Sequence, residues 1–201
     1  MSRNPDGRPT MIDPGPATRA VADVVRNVKD DQLTAPTPCP DYTVADLLDH
    51  LDGLSLAFIG AARKEPLDGA GEGQGERLGE GWRERIAGRL DDLAQAWRDP
   101  AAWTGQTAAG GVEMPGDQGG QVAVNEVVTH GWDLAVATGQ EYAVDAEAVA
   151  AATAFVSLFS GPGTEEMRGE TFGPVVVPPA GASALEELIA LTGRDPRWTR
   201  D

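Results

Sequence analysis

Glu126 and His130 are the residues of this sequence whose types and spacing most clearly suggest chemistry. They lie four residues apart in the segment NEVVTHGWDLA. On a helix of 3.6 residues per turn, this spacing places both side chains on one side of the helix, one turn apart. The neighbouring residues are apolar nearly all round the helix, which is typical of a buried helix. Because a buried, unpaired carboxylate is costly, Glu126 needs a partner.

Three partners for Glu126 are compatible with the sequence. The first is a metal ion, bound by Glu126 and His130, with His50 from another helix as a third ligand. Two histidines and one carboxylate leave a coordination position open for water or a thiol, as in catalytic zinc sites. The second partner is a protonated His130, and the third is water. The pattern E-x-x-x-H occurs by chance in many helices, so the residues alone leave these alternatives open.

Other polar residues near this segment have both a functional and a structural interpretation. Asp133 lies seven residues after Glu126 on the same side of the helix, where it could orient a metal ligand by accepting a hydrogen bond. It could equally be a carboxylate at the edge of the bundle. We expect Trp132 to pack between helices. We also expect Cys39 to be a small buried side chain and not a nucleophile. The arginines of the closing GRDPRWTR are interpreted as an ordinary charged terminus.

Hydrophobic spacing predicts the helices that must position these side chains. Val21, Val24, Val25 and Val28 recur at helical spacing in the first helix. Thr43 is a suitable N-cap for the second. A hairpin turning at Gly110-Gly111 is expected within residues 104–114. The predicted helices span approximately 17–33, 43–64, 78–97, 121–138 and 145–159, with a short one after Ser183.

These elements predict an all-α fold in which antiparallel helices form a bundle. Residues 1–16 are rich in proline, glycine and aspartate, and we expect them to be a disordered extension. We expect residues 17–160 to form the bundle that carries the candidate site. Residues 161–201 hold the proline-bearing stretch TFGPVVVPPAGAS, and we expect an extended tail there that packs on the bundle.

Composition excludes several classes of function. The formal net charge of −16 disfavours binding to a phosphate backbone, so we expect no nucleic-acid partner. There is no apolar run of 18 residues, so we expect no membrane span. The N-terminus has no apolar segment of the kind found in secretory signals. A single cysteine cannot form an internal disulfide and fits a reducing cytoplasm.

Three segments together resemble a known family. They are TPCPDYTVADLLDHLDGL, NEVVTHGWDLAVATGQ and the closing LTGRDPRW. They are similar to the mycothiol-dependent maleylpyruvate isomerase N-terminal domain family, and more narrowly to its metal-binding relatives in the DinB/YfiT-like superfamily. The resemblance covers approximately residues 11–198. It implies a four-helix bundle that holds a divalent metal in a cleft, and its ligand positions fall on His50, Glu126 and His130.

The resemblance also implies a chemistry and a cofactor. Zinc is the expected metal, although nickel and iron also accept imidazole with carboxylate. In the isomerase, the metal is thought to bind the thiol of mycothiol and favour the thiolate, which attacks an electrophilic carbon. We therefore expect a metal-dependent and thiol-dependent transferase or isomerase that acts on a small electrophile. The isomerase carries a further C-terminal domain, so its substrate is not carried over. A metal-binding sensor or partner-binding module without turnover is the alternative, and the oligomeric state stays undetermined.

Overall fold

The computed structural model describes residues 10–65, 72–168 and 172–200. Within these ranges the chain is all-α apart from one small antiparallel hairpin, as the sequence predicts. The helices are α1 Gly15–Asn27, α2 Val44–Arg63, α3 Trp82–Trp97, α4 Gly116–Thr138, α5 Ala146–Ser157, α6 Glu165–Arg168 and α7 Ala184–Leu191. The strands are β1 Gln106–Ala109 and β2 Val112–Pro115, in a register that pairs Ala109 with Val112. Three short 3₁₀ helices lie at Asp30–Gln32, Gly75–Arg77 and Pro100–Trp103.

The first four helices form a bundle in which each helix contacts two others. Going round the bundle, α1 packs on α3, α3 on α2, α2 on α4, and α4 on α1. The core between them is built from the apolar stripes that the sequence shows, including Val21, Leu51, Leu90 and Val127, all fully buried. Because α2 and α4 are neighbours in this arrangement, residues in the middle of each can face one another.

Several helix ends agree with the sequence, each for a local reason. Thr43 caps α2 by accepting a hydrogen bond from the backbone N–H of Asp46, whose carboxylate accepts in return from the N–H of Thr43. Gly139 ends α4 in the left-handed conformation. Asp145 caps α5, and Ser183 caps α7. The hairpin turns at Gly110-Gly111 as predicted, since both residues have positive φ.

Three predicted boundaries are wrong. Helix α1 ends at Asn27 and not near residue 33, because Val28 is buried in an extended conformation and Arg83 donates hydrogen bonds to its carbonyl. Helix α3 begins at Trp82 and not at Leu78, because Gly79 and Gly81 have positive φ, which a right-handed helix cannot contain.

The third wrong boundary is the start of α4, which begins at Gly116, about one turn before the predicted residue 121. Gly119 and Gly120 lie inside this helix, although glycine is a poor helix former. A Cβ on Gly120 would lie 2.5 Å from the ring of Trp103, so the glycine permits a close approach between the helix and the indole. Packing against Trp103 therefore explains a helical turn that helix propensity argues against.

The predictions for the two ends of the chain are only partly covered by the described residues. The predicted disorder of residues 1–9 lies outside the described residues. Residues 12–16 were assigned to the same extension, yet Ile12 is buried and α1 already begins at Gly15. In the described part of the chain after residue 160, α6 is a short helix that the sequence did not predict, and α7 packs on α5. The division of the chain at residue 160 stays a prediction.

Candidate metal site

Helices α2 and α4 bring His50, Glu126 and His130 together. His50 lies in the second turn of α2, and the other two residues lie one turn apart on α4. The Nε2 atom of His130 is 3.2 Å from Glu126 Oε2, and His50 Nε2 is 3.8 Å from the same oxygen. The two imidazole rings meet edge to face, with centroids 4.9 Å apart. Both histidines of the sequence therefore converge on a single carboxylate.

The spacing of these atoms is suited to one metal ion. Each residue offers a ligand atom, and the three ligand atoms lie within 4.8 Å of one another. Tetrahedral zinc with bonds near 2.1 Å places its ligand atoms roughly 3.4 Å apart, which lies between the two measured distances. Among the described residues, His50, Glu126 and His130 are the one group of three histidine, cysteine or acidic side chains whose ligand atoms lie close enough together to hold an ion.

Asp133 fixes the orientation of His130. The Nδ1–H of His130 donates to Asp133 Oδ2 at 3.0 Å, which leaves Nε2 as the ring nitrogen that faces Glu126. The other oxygen of Asp133 accepts from Nε of Arg194 at 2.7 Å. Asp133 is fully buried, so the guanidinium of Arg194 supplies the counter-charge that it needs. A carboxylate bound to the second nitrogen of a histidine is typical of histidines that ligate metals.

The charges at the site are strongly coupled. Burial alone would raise the pKa of Glu126, but the neighbouring imidazoles of His130 and His50 hold it well below its usual range. Burial alone would lower the pKa of His130, but its hydrogen bond with Asp133 and the nearby carboxylate of Glu126 raise it to about 9. Burial also opposes ionisation of Asp133, whereas Arg194 and His130 lower its pKa. Without a bound metal, His130 is therefore protonated at neutral pH, and its imidazolium lies between the carboxylates of Glu126 and Asp133.

A polar cavity of about 250 Å³ opens beside the three residues. In addition to them, its described lining consists of Cys39, Asp41, Tyr42, Asn125, Thr129, Phe172 and Arg194. Three buried polar atoms in this lining have no hydrogen-bond partner among the described residues, namely His50 Nδ1, Asn125 Oδ1 and Thr129 Oγ1. Unsatisfied buried polar groups are uncommon in proteins, and a polar ligand in the cavity would satisfy them.

Cys39 lies in the same cavity, but its environment suppresses its reactivity. Burial raises the pKa of its thiol to about 11, and the nearby charge of Arg194 offsets this only in part. Because the thiolate is the nucleophilic form, Cys39 is a poor nucleophile at neutral pH. The side chain is only half-buried, whereas a buried one was expected. That Cys39 does not act as a nucleophile stays a prediction, and no local signal in the sequence places it beside the candidate ligands.

Other residues of the polar cavity were not predicted to be part of the site. Arg194 was interpreted as part of an ordinary charged terminus, but its side chain is buried against Asp133. Tyr42, Asn125 and Thr129 were not singled out. Asn125 and Thr129 flank Glu126 and His130 on α4, so the helical spacing could have identified them. Arg194 lies in the segment LTGRDPRW that carries part of the family resemblance, but its pairing with Asp133, 61 residues earlier, has no local signal.

Two further features lie outside the cavity. Trp132 is buried, with 5% of its surface exposed, as expected for a packing residue. Residues 66–76 are rich in glycine and acidic residues, and 66–71 lie outside the described residues. Within the described part, the N–H groups of Gly73 and Gly75 donate to Tyr42 Oη and Asp46 Oδ1. These donors are therefore already used within the protein.

A bundle of α-helices with a His–Glu–His group beside a polar cavity defines a helical domain that can hold a metal ion. The chain belongs to the mycothiol maleylpyruvate isomerase N-terminal domain family, whose pattern matches residues 15–135. The matched range includes all three candidate ligands and Asp133. The family indicates a mycothiol-related, metal-binding domain, and it is consistent with the DinB-like superfamily and with the observed helical fold.

Similar proteins are known from Mycobacterium tuberculosis. One from strain CDC 1551 / Oshkosh and one from strain ATCC 25618 / H37Rv are each 34% identical to this chain over 191 residues. The alignment covers 90% of this chain and 95% of each relative, and both relatives are uncharacterized proteins. No solved structure matches the chain. Among the described helices, none is both long and apolar enough to cross a membrane.

Proposed function

We propose that this protein is a metal-dependent transferase or isomerase that uses mycothiol, or a similar low-molecular-weight thiol, to attack a small electrophile. The proposed ligands are His50, Glu126 and His130, and the proposed metal is zinc, with nickel or iron as chemically acceptable substitutes. One observation carries the proposal: both histidines of a chain from this family meet one glutamate beside a polar cavity. The single cysteine and the thiol cosubstrate favour a cytoplasmic location.

The residues of the site can perform the tasks that such a reaction needs. When bound, a divalent ion would lower the pKa of a coordinating thiol so that the sulfur is deprotonated. Three protein ligands would leave one coordination position for that sulfur. Asp133 holds His130 in the tautomer whose Nε2 is free to ligate. Asn125 and Thr129 offer their unsatisfied oxygens to the polar part of the thiol.

The proposed reaction is balanced without a further reactant. The sulfur forms a bond to the electrophilic carbon, and the displaced electron pair moves onto the electrophile. If rotation about a bond is followed by return of that electron pair and expulsion of the same thiolate, which recovers its proton, the outcome is an isomerisation. If the carbon–sulfur bond persists, the displaced electron pair takes up the proton released by the thiol, and the outcome is a transfer. In both cases the protein supplies orientation, and the thiol supplies the nucleophile.

The alternative function is a metal-binding sensor or partner-binding module without turnover. Cys39 lines the same cavity as the three candidate ligands, although its sulfur is not among the ligand atoms that lie within 4.8 Å of one another. A fourth protein ligand would close the coordination sphere, as in structural zinc sites. Replacement of Cys39 by serine separates the two functions. Metal affinity unchanged in Cys39→Ser supports an open site, whereas a large loss of affinity supports a closed one.

Metal analysis of purified variants tests the proposed site. We expect about one equivalent of metal in the native protein and almost none in His50→Ala, because loss of one ligand leaves too few donors. Asp49→Ala is the matched control, since Asp49 precedes His50 on α2 but pairs with Arg77. Full metal retention in His50→Ala would contradict the site.

The reaction needs a separate assay. The native protein is incubated with several thiols, mycothiol among them, and a panel of small electrophiles, with and without a chelator. We expect consumption of the electrophile that depends on both the thiol and the metal. A protein that holds its metal but consumes no electrophile with any thiol would favour the sensor or partner-binding function.

A further inference from the structure

A second cavity, of about 310 Å³, is also lined by His50 and Glu126. We call it the apolar cavity. It lies between α2, α4 and the β1–β2 hairpin, and its described lining is mostly hydrocarbon. That lining consists of His50, Leu54, Ala57, Phe58, Ala109, Gly110, Val112, Met114, Gln118, Val122 and Glu126. Cavities of this size and character are typical of small-molecule sites.

The apolar cavity meets the polar cavity at two of the proposed metal ligands. His50 and Glu126 line both cavities, whereas His130 lines the polar cavity and is absent from the lining of the apolar one. A molecule in the apolar cavity would therefore contact the same two side chains as a thiol in the polar cavity. This is the arrangement that a reaction between two substrates needs, because it holds them against a common centre.

The charges around the apolar cavity restrict what it can hold. Its described lining contains no lysine or arginine, and its polar side chains are His50, Gln118 and Glu126. An anionic group placed away from these residues would be desolvated against Leu54, Phe58 and Val122 without a counter-charge. The polar cavity differs, because Arg194 lies in its wall.

The geometry points to a neutral, apolar electrophile as the substrate of the apolar cavity. This inference rests on the proposed function, since it assigns the second substrate of that reaction to a place in the fold. A dicarboxylate such as maleylpyruvate, which the family description names, does not suit these hydrocarbon walls. The substrate would lie under the hairpin, with its reactive carbon toward His50 and Glu126 and its hydrocarbon part against Leu54 and Phe58.

A neutral fluorescent probe tests this assignment without depending on turnover. N-Phenyl-1-naphthylamine, whose emission rises in apolar surroundings, is titrated into the full-length protein. We expect saturable binding to one site. We expect Val112→Asp to weaken binding by about tenfold or more, because the substitution removes an apolar part of the wall and brings a charge beside the bound naphthalene ring. Val112 is 61% exposed, so the substitution disturbs little packing, and Val177→Asp, at an 84% exposed valine outside both cavity linings, is the matched control.

Two further arms separate this inference from the proposed metal chemistry. His130→Gln removes a proposed ligand that lines the polar cavity, so we expect metal to be lost while probe binding stays within about twofold. Conversely, Val112→Asp should keep the native metal content. Competition with 2-naphthamide and 2-naphthoate, which share one shape but differ in charge, should show the neutral compound displacing the probe at least about tenfold better.

Each result of these experiments either supports or overturns the assignment of the apolar cavity. Probe binding that is weakened by Val112→Asp but not by Val177→Asp, together with a preference for the amide, supports a neutral apolar substrate, even if no thiol reaction is found. Absence of saturable binding, equal binding to the native protein and Val112→Asp, or better displacement by the carboxylate would overturn the assignment.

Discussion

Replacement of Asp133 by asparagine should weaken metal binding although Asp133 is not a proposed ligand. Both carboxylate oxygens are used, one by His130 at 3.0 Å and the other by Arg194 at 2.7 Å. Asparagine has nearly the same shape but only one oxygen, so its amide group must face one of these two N–H donors. A buried guanidinium is costlier to leave without an acceptor than an imidazole N–H, so the oxygen should face Arg194 and the imidazole should lose the partner that orients it. The neutral amide also leaves the guanidinium without its counter-charge.

The magnitude follows from these two contacts. Loss of a carboxylate partner of a ligating histidine typically costs 10- to 100-fold in metal affinity, or about 1.4–2.7 kcal/mol. Removal of one member of a buried ion pair costs about 3–5 kcal/mol of folding stability. The side chain of Asp133 is fully buried and that of Arg194 is 11% exposed, so solvent cannot compensate for either loss. We therefore expect both affinity and stability to fall in Asp133→Asn.

Two measurements separate these effects. Competition with a chromophoric chelator gives the zinc Kd of the folded variant, and urea unfolding in the presence of a chelator gives the stability of the metal-free chain. Asp195→Asn is the matched control, because Asp195 follows Arg194 directly but is partly exposed and bonds to Arg197. If folded Asp133→Asn binds zinc within twofold of the native protein, the role assigned to Asp133 is refuted.

Three further predictions concern protons, the thiol and packing. Because His130 has a pKa of about 9 and must lose its proton to bind a metal, zinc affinity should rise about tenfold per pH unit up to about pH 9 and then level off. A flat profile of affinity from about pH 6.5 to 8.5 in the chelator competition would contradict this. Burial raises the pKa of Cys39 from 9.0 to about 11, so a disulfide reagent at pH 8 should react about 100-fold more slowly with the folded protein than with the urea-unfolded chain, and equal rates would refute its burial. Gly120→Ala should lower the free energy of unfolding by about 1–3 kcal/mol, because its Cβ would meet the ring of Trp103, whereas Gly88→Ala, with open space around its Cβ, should raise it by about 0.5–1 kcal/mol; equal effects in urea unfolding would contradict the close packing of Trp103.

The sequence predicted the elements whose signals are local. The capping residue Thr43, the paired glycines at positions 110 and 111 and the left-handed Gly139 each act within a few residues of the boundary that they define. Two residues of the candidate site could be predicted for the same reason, because the period of one helix relates the positions of Glu126 and His130. Their convergence with His50 was a prediction from the bundle fold and the family resemblance, and the neighbouring positions of α2 and α4 explain it.

The features that the sequence did not predict depend on contacts between distant segments. Arg83 donates a hydrogen bond to the carbonyl of Val28, and α1 ends directly before that residue. The ring of Trp103 accounts for the glycines at the start of α4. Arg194 looked like a solvated charge because its partner, Asp133, comes from another part of the chain. The apolar cavity was missed for a similar reason, since its wall is formed by a hairpin that only tertiary packing places beside α2 and α4.

The pairing of Arg194 with Asp133 sets an order of events during synthesis of the chain. The ribosome adds His50, Glu126, His130 and Asp133 well before it reaches position 194. A nascent chain that has just exposed α4 therefore presents all three candidate donors while the carboxylate behind His130 still lacks its guanidinium. The imidazole acquires its mature setting only after translation has passed this arginine, so correct loading with an ion is expected to be a late step in the maturation of the protein.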